Sequence, residues 1–137
     1  MIEILGILFD FGLLVLIWMV QLIVYPSFLY YEAKNLIVWH RKYTSLISIL
    51  VAPMMFLQLG FNVFEAYSDF SAIAIIKLLL ITFAWVFTFT YFVPLHTRIS
   101  QGKVSRTILE QLVKLNWCRT LAWTVILVLS MFNYYFH

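Results

Sequence analysis

The sequence predicts an all-α protein: an antiparallel four-helix transmembrane bundle with a short interfacial amphipathic helix before the fourth span. Three observations predict it. Of 137 residues, 64% are hydrophobic and only 11% charged, with a mean hydropathy of +0.97, whereas an average soluble domain carries about 25% charged residues. Four stretches reach the length of about 20 apolar residues that a bilayer core about 30 Å thick requires of a helix. Eight of the nine Lys and Arg residues gather near two of the connections between those stretches. This composition excludes a globular cytosolic domain, a disordered tail and a nucleic-acid-binding module, so no nucleic-acid partner is expected. The single cysteine, Cys118, excludes an intramolecular disulfide and a cysteine-rich metal cluster.

Residues 4–28 form the first span and contain one acid, Asp10. No Lys or Arg precedes Lys34 and Glu3 stands where a basic leader would begin, so this span is expected to be retained and not cleaved. Residues 43–64 carry no charge and include Pro53. Residues 72–94 carry only Lys77, close enough to the start for a long side chain to snorkel to the headgroups. Residues 116–135 carry only Arg119. Little chain remains, so residues 1–137 form one membrane domain with the lipid bilayer as its first partner. Its outward apolar faces suit a homo-oligomer or lipid contact equally.

Four spans put residues 32–42 and 95–115 on one side of the membrane, with Lys34, Arg41, Lys42, Arg98, Lys103, Arg106, Lys114 and Arg119 in or beside them and Lys77 alone on the other side. Positive charge is retained on the cytoplasmic side, so both termini are expected to face away from it. In the last connection Gly102 marks a turn and Thr107 with Glu110 fits a capping box. Val104, Ile108, Leu112 and Leu115 recur beside Lys103, Arg106 and Lys114 as in a basic amphipathic helix at the interface.

Lipid drives no segregation of apolar residues, so the useful signal inside each span is where polar atoms fall. On the first helix Glu3, Asp10, Leu14, Ile17, Gln21, Tyr25, Phe28 and Glu32 fall on one stripe, and on the second His40, Thr44, Ile47, Val51, Met55, Gln58, Asn62 and Glu65 do. The third has Thr82, Trp85, Phe89, Phe92 and His96, and the fourth Asn116, Arg119, Thr120, Trp123, Leu127 and Ser130. These stripes are expected to face one another in the bundle. By depth they divide into an outer group, Asp10, Gln58, Asn62, Glu65 and Ser130, and a richer cytoplasmic group. The latter gathers Gln21, Tyr25, Glu32, His40, Arg41, His96, Arg98, Asn116, Trp117, Arg119 and Thr120.

Val24-Tyr25-Pro26 at the end of span one, Pro94-Leu95-His96-Thr97-Arg98 at the end of span three and Leu115-Asn116-Trp117-Cys118-Arg119-Thr120 opening span four together resemble the anthrone oxygenase-like family of small four-helix membrane proteins. The family pattern carries Asn where this chain has His96, and the Asn116-x-x-Arg119 pair is kept. The resemblance implies a membrane oxygenase acting on a hydrophobic aromatic small molecule, with no metal or other cofactor expected, in the inner membrane of a bacterium. Oxidation of an anthrone-like carbon needs a base, a cationic or donor-rich group to stabilise the enolate, and an apolar pocket. His96 or His40 is the candidate base, and Arg119 and Asn116 are the candidate enolate stabilisers. Trp117, Trp123, Tyr25 and Phe92 are the candidate ring-packing wall, with Gln21 and Thr120 also facing the ligand.

Each of these residues has a plainer reading. His40 suits a hydrated position at a helix start, His96 a helix end, and Arg119 snorkelling to phosphate. Asp10 is expected to pair with Gln58 or Asn62. Two other functional classes stay open: a haem- or quinone-binding electron-transfer module using His40 and His96 as ligands across the bundle, and a non-catalytic subunit that binds lipid or a membrane partner. A channel or transporter is disfavoured by the large apolar groups Trp85, Phe89, Trp123 and Leu127 on the inward stripes.

Overall fold

Two of the prolines fix where the helices deform. Pro26 and Pro94 each lack the N–H that would bond the carbonyl four residues earlier, and the pyrrolidine ring crowds that carbonyl. In the computed structural model, which describes residues 1–136, the chain widens into a π turn just ahead of each, at Val20–Val24 and at Thr88–Phe92. Around these turns run four helices long and apolar enough to cross a membrane: Glu3–Tyr30, Ala33–Ser68, Ala72–Ser100 and Arg106–Phe136. There is no strand among the described residues.

The helices form an antiparallel bundle in which each packs on its sequence neighbours and the first also packs on the fourth. Gly12 permits one close approach of the first helix to the second, since a Cβ there would lie 2.5 Å from the Met54 methyl. The interior divides by depth into two apolar clusters. Leu13, Ile17, Met55, Ile81, Ala84 and Trp123 fill the end near the termini. Tyr25, Phe28, Leu36, Tyr43, Phe92, Leu95 and Leu112 fill the cation-rich end.

Several boundaries differ from the sequence reading. The second helix begins at Ala33, seven residues ahead of the helix start expected at His40, and spans 36 residues, about 54 Å and so well beyond the hydrocarbon core. His40 is therefore inside a helix and fully buried, not hydrated at its start. The predicted interfacial helix is continuous with the fourth span over Arg106–Phe136, because no breaker lies between them. Its cap is Ser105, whose Oγ accepts from the Ile108 N–H at 3.3 Å. The expected Thr107–Glu110 box does not form, since Glu110 pairs instead with Arg106 at 2.8 Å. Gly102 makes the expected turn at φ +85.

The stripes of the first, second and fourth helices face inward largely as read. On the third helix the buried positions are Ala74, Lys77, Ile81, Ala84, Phe92, Leu95 and Ile99, while Thr82 and Phe89 are exposed. Thr82 misled the reading because its hydroxyl donates to Leu78 O on its own helix at 2.8 Å, and a hydroxyl satisfied in this way has no need of the interior.

Near the termini the polar residues form one network. Gln58 Nε2 donates to Asp10 Oδ1 at 2.7 Å, Ser130 Oγ donates to Asp10 Oδ2 at 2.5 Å, and Trp123 Nε1 donates to Gln58 Oε1 at 3.1 Å. The expected pairing of Asp10 with Gln58 is thus made. Lys77, expected to snorkel, is instead 3% exposed and ion-paired to Glu65 at 2.7 Å. Glu65 also accepts from Asn133 Nδ2 at 3.0 Å. A carboxylate within reach satisfies the ammonium at lower entropic cost than an extended side chain stretched to the headgroups.

Candidate functional site

A cavity of about 550 Å³ opens between the second and third helices in the cation-rich half of the bundle, with Leu16, Val20 and Tyr25 of the first helix and Arg119 of the fourth at its floor. Its walls are largely apolar and aromatic, with Tyr43, Met55, Phe56, Trp85, Phe89 and Phe92 prominent. The two π turns build it. One presents Tyr25 on the turn that follows it, and the other carries Phe92, so that the two rings stack at 6.1 Å and 18°. Such turns recur where a helix must aim side chains out of its regular phase.

Arg119 is 7% exposed, and among the described residues no carboxylate lies within ion-pairing distance of it. Its guanidinium rests over Phe92, 4.2 Å from the ring centroid, with Trp123 behind at 5.5 Å. Aromatic faces attract a cation but supply no acceptor for its N–H groups. Arg119 Nε is left buried without a hydrogen-bond partner, and so is Nε1 of Trp85, whose side chain lines the same cavity. Two orphaned N–H donors on side chains that line one apolar cavity favour an occupant that brings acceptor atoms, since a buried donor left unpaired costs about 1–3 kcal/mol.

Beside Arg119 runs a chain of titratable groups. Tyr25 Oη lies 3.0 Å from His96 Nε2, His96 Nδ1 lies 2.8 Å from His40 Nε2, and His40 Nδ1 lies 3.0 Å from Ser100 Oγ. All four imidazole nitrogens are engaged end to end. Tyr25, His96 and Ser100 border the cavity, whereas His40 stands behind them, edge-on to Phe28 at 5.7 Å. Ligation of one haem iron by both histidines does not fit this arrangement, because a gap of 2.8 Å between the facing nitrogens admits a proton and not a metal. Among the described residues no group of three or more His, Cys, Asp or Glu side chains is gathered to hold a metal ion.

Of the residues singled out in the sequence, Tyr25, Phe92, His96 and Arg119 meet on the cavity, and His40 touches it through His96. Trp123 backs Arg119 from inside the core. Gln21, Asn116 and Thr120 meet elsewhere. Asn116 Nδ2 donates to Gln21 Oε1 at 2.9 Å, Thr120 Oγ1 approaches the same oxygen at 3.4 Å, and Gln21 Nε2 donates to Val113 O at 3.2 Å. These three tie the first helix to the fourth and do not border the cavity. Trp117 is 40% exposed and packs edge-on to Trp18 at 5.7 Å. It lies two residues from Arg119, about 200° around the helix, and so on the opposite side.

Tyr43, Ser100, Trp85 and Met55 belong to the site and were not singled out as site residues. Tyr43 follows His40 by three positions and Ser100 follows His96 by four, so helical spacing alone carried that signal. No family model, no curated protein and no solved structure matches this chain.

Proposed function

We propose that this protein is a membrane-embedded, anthrone oxygenase-like enzyme whose substrate is a hydrophobic aromatic molecule, taken from the bilayer into the cavity between the second and third helices. The observation that carries the reading is the pair of orphaned donors, Arg119 Nε and Trp85 Nε1, on an otherwise apolar aromatic cavity. A carbonyl or phenolic oxygen is the kind of acceptor that each of them lacks. The cavity volume of about 550 Å³ lies within the about 300–1,000 Å³ usual for small-molecule sites.

In this reaction the Tyr25–His96 pair takes a proton from the methylene that lies across the central ring from the carbonyl and is conjugated with it through the flanking aryl rings. The electron pair left behind spreads onto the carbonyl oxygen, where the Arg119 cation stabilises it. Dioxygen is the oxidant: the enolate carbon bonds to oxygen, a proton returns to give the hydroperoxide, and loss of water leaves a new carbonyl. Overall a CH2 group and O2 become C=O and H2O. Phe92 and Tyr25 hold the rings, while Asn116, Gln21 and Thr120 serve the packing of helices instead of the chemistry. The orientation that goes with this reading puts the cation-rich end in the cytoplasm of a bacterial cell and both termini outside it, on the strength of the eight clustered cations.

Oxygen uptake by the detergent-purified protein with anthrone, under air and under nitrogen, tests the proposal. Arg119→Gln and His96→Gln are each expected to lower turnover by about 100-fold or more while the helical spectrum stays intact. Turnover that survives both substitutions overturns it. A quinone would satisfy the same donors through its carbonyls. Native mass spectrometry showing bound quinone, with no oxygen uptake, transfers the cavity to electron carriage.

A further inference from the structure

We propose that Tyr25, His96, His40 and Ser100 form a proton relay, which carries a proton from the floor of the cavity to its rim behind whatever molecule occupies it. The inference rests on the cavity being a reaction site and adds the route by which the proton leaves. A ligand that fills an apolar cavity expels water from it. A proton released at the floor, beside Arg119, then has no aqueous path past the ligand.

The wall supplies one. The contacts of 3.0, 2.8 and 3.0 Å run without a gap from Tyr25 to Ser100. Ser100 is the last residue of its helix, followed by exposed Gln101 and Gly102 at the turn. Its backbone is pinned by Arg41 Nε, which donates to Ser100 O at 2.9 Å. His40, fully buried and away from the cavity surface, is reached only through its neighbours.

Two neutral registers of this chain exist. In the first, Tyr25 Oη donates to His96 Nε2, His96 Nδ1 donates to His40 Nε2, and His40 Nδ1 donates to Ser100 Oγ. In the second every donor and acceptor is exchanged. Passing from the first to the second takes a proton onto the Tyr25 oxygen as the tyrosine proton moves to His96 and that of His96 to His40. His40 then protonates Ser100, which releases its own proton to water at the rim. One proton crosses and no charge is left in the wall. Two histidines held merely for packing need no such alignment of all four ring nitrogens. His40 and Ser100 are thus positioning residues that act through His96 and Tyr25.

The test follows exchange of the imidazole N–H protons with heavy water by NMR, using the full chain with isotope-labelled histidine in nanodiscs. Ser100→Ala is expected to slow exchange of the proton shared by His40 and His96 by about tenfold, the scale of one net hydrogen bond. Ser100→Thr, which keeps the hydroxyl, is expected to restore it. An unchanged rate in Ser100→Ala overturns the relay. Should that variant fail to fold, Tyr25→Phe puts the same question at the floor, where an unslowed rate is equally fatal. Exchange needs no substrate, so the outcomes separate: the expected pattern without oxygen uptake leaves the relay and removes the oxygenase, and uptake with unaltered exchange does the reverse.

Discussion

Replacing Arg119 by methionine should make the protein more stable and weaken the hold of its cavity on an acidic or carbonyl ligand. An arginine at hydrocarbon depth costs about 3 kcal/mol on insertion scales. Against this stand the Phe92 face at 4.2 Å and the Trp123 ring at 5.5 Å, with the Tyr25 hydroxyl beside the guanidinium, together about 1.5 kcal/mol in a desolvated setting. No carboxylate among the described residues adds to them. The difference, about 1.5 kcal/mol, favours methionine, which keeps the unbranched stem against Phe92 and leaves no buried N–H without an acceptor. For a chain of this length that difference raises Tm by about 5 °C. Loss of one charge-assisted hydrogen bond weakens a carbonyl-bearing ligand by about 10- to 100-fold. Thermal unfolding followed by circular dichroism in one detergent measures the first effect, and quenching of tryptophan fluorescence by anthrone the second. A Tm that falls by a similar amount refutes the reasoning, since it shows the bundle itself satisfying Arg119 and holding no donor in reserve for a ligand. The trade of stability for a poised polar group is what a binding site produces and a structural arginine does not.

Two further outcomes are expected. Lys77→Met should destabilise by about 2 kcal/mol, less than a fully buried pair because the Glu65 side chain is 21% exposed and keeps Asn133; an unchanged Tm would show the ammonium reaching the headgroups after all. Pro94→Ala should let the α form run through Thr88–Phe92, turning His96 by about 100° relative to the outer half of its helix. Anthrone quenching would then be lost with helicity unchanged, and retained quenching would mean that the π turn does not set the site.

How much was legible in the sequence varied by element. Four apolar stretches of sufficient length gave the number of helices, and the polar stripes of the first, second and fourth helices identified Asp10, Gln21, Tyr25, His40, Gln58, Asn116, Arg119 and Ser130 as interior, all of them buried. On the third helix Trp85, Phe89, Phe92 and His96 of the expected stripe do border the cavity; the departure is in the outer half, where Thr82 satisfies its own hydroxyl along the helix and the buried side is set by Ala74 and Ala84, small residues that hydropathy barely registers. Trp117 has the chemistry of a ring-packing residue, but its helical angle puts it on the outside. Lys77 looked like a snorkelling residue because Glu65, its partner, lies on another helix.

Hydropathy and helical period are local properties that a bilayer reads residue by residue, so the order of residues is enough to specify a bundle of four apolar helices with polar groups aimed inward. It takes the packed bundle to show that His40 and His96 touch, that Asn116 turns to Gln21 while Arg119 turns to the cavity, and that two prolines twist Tyr25 and Phe92 into one wall. These relations join atoms on different helices. They depend on rotations about separate axes, and a π turn ahead of a proline shifts such a rotation by about a whole residue.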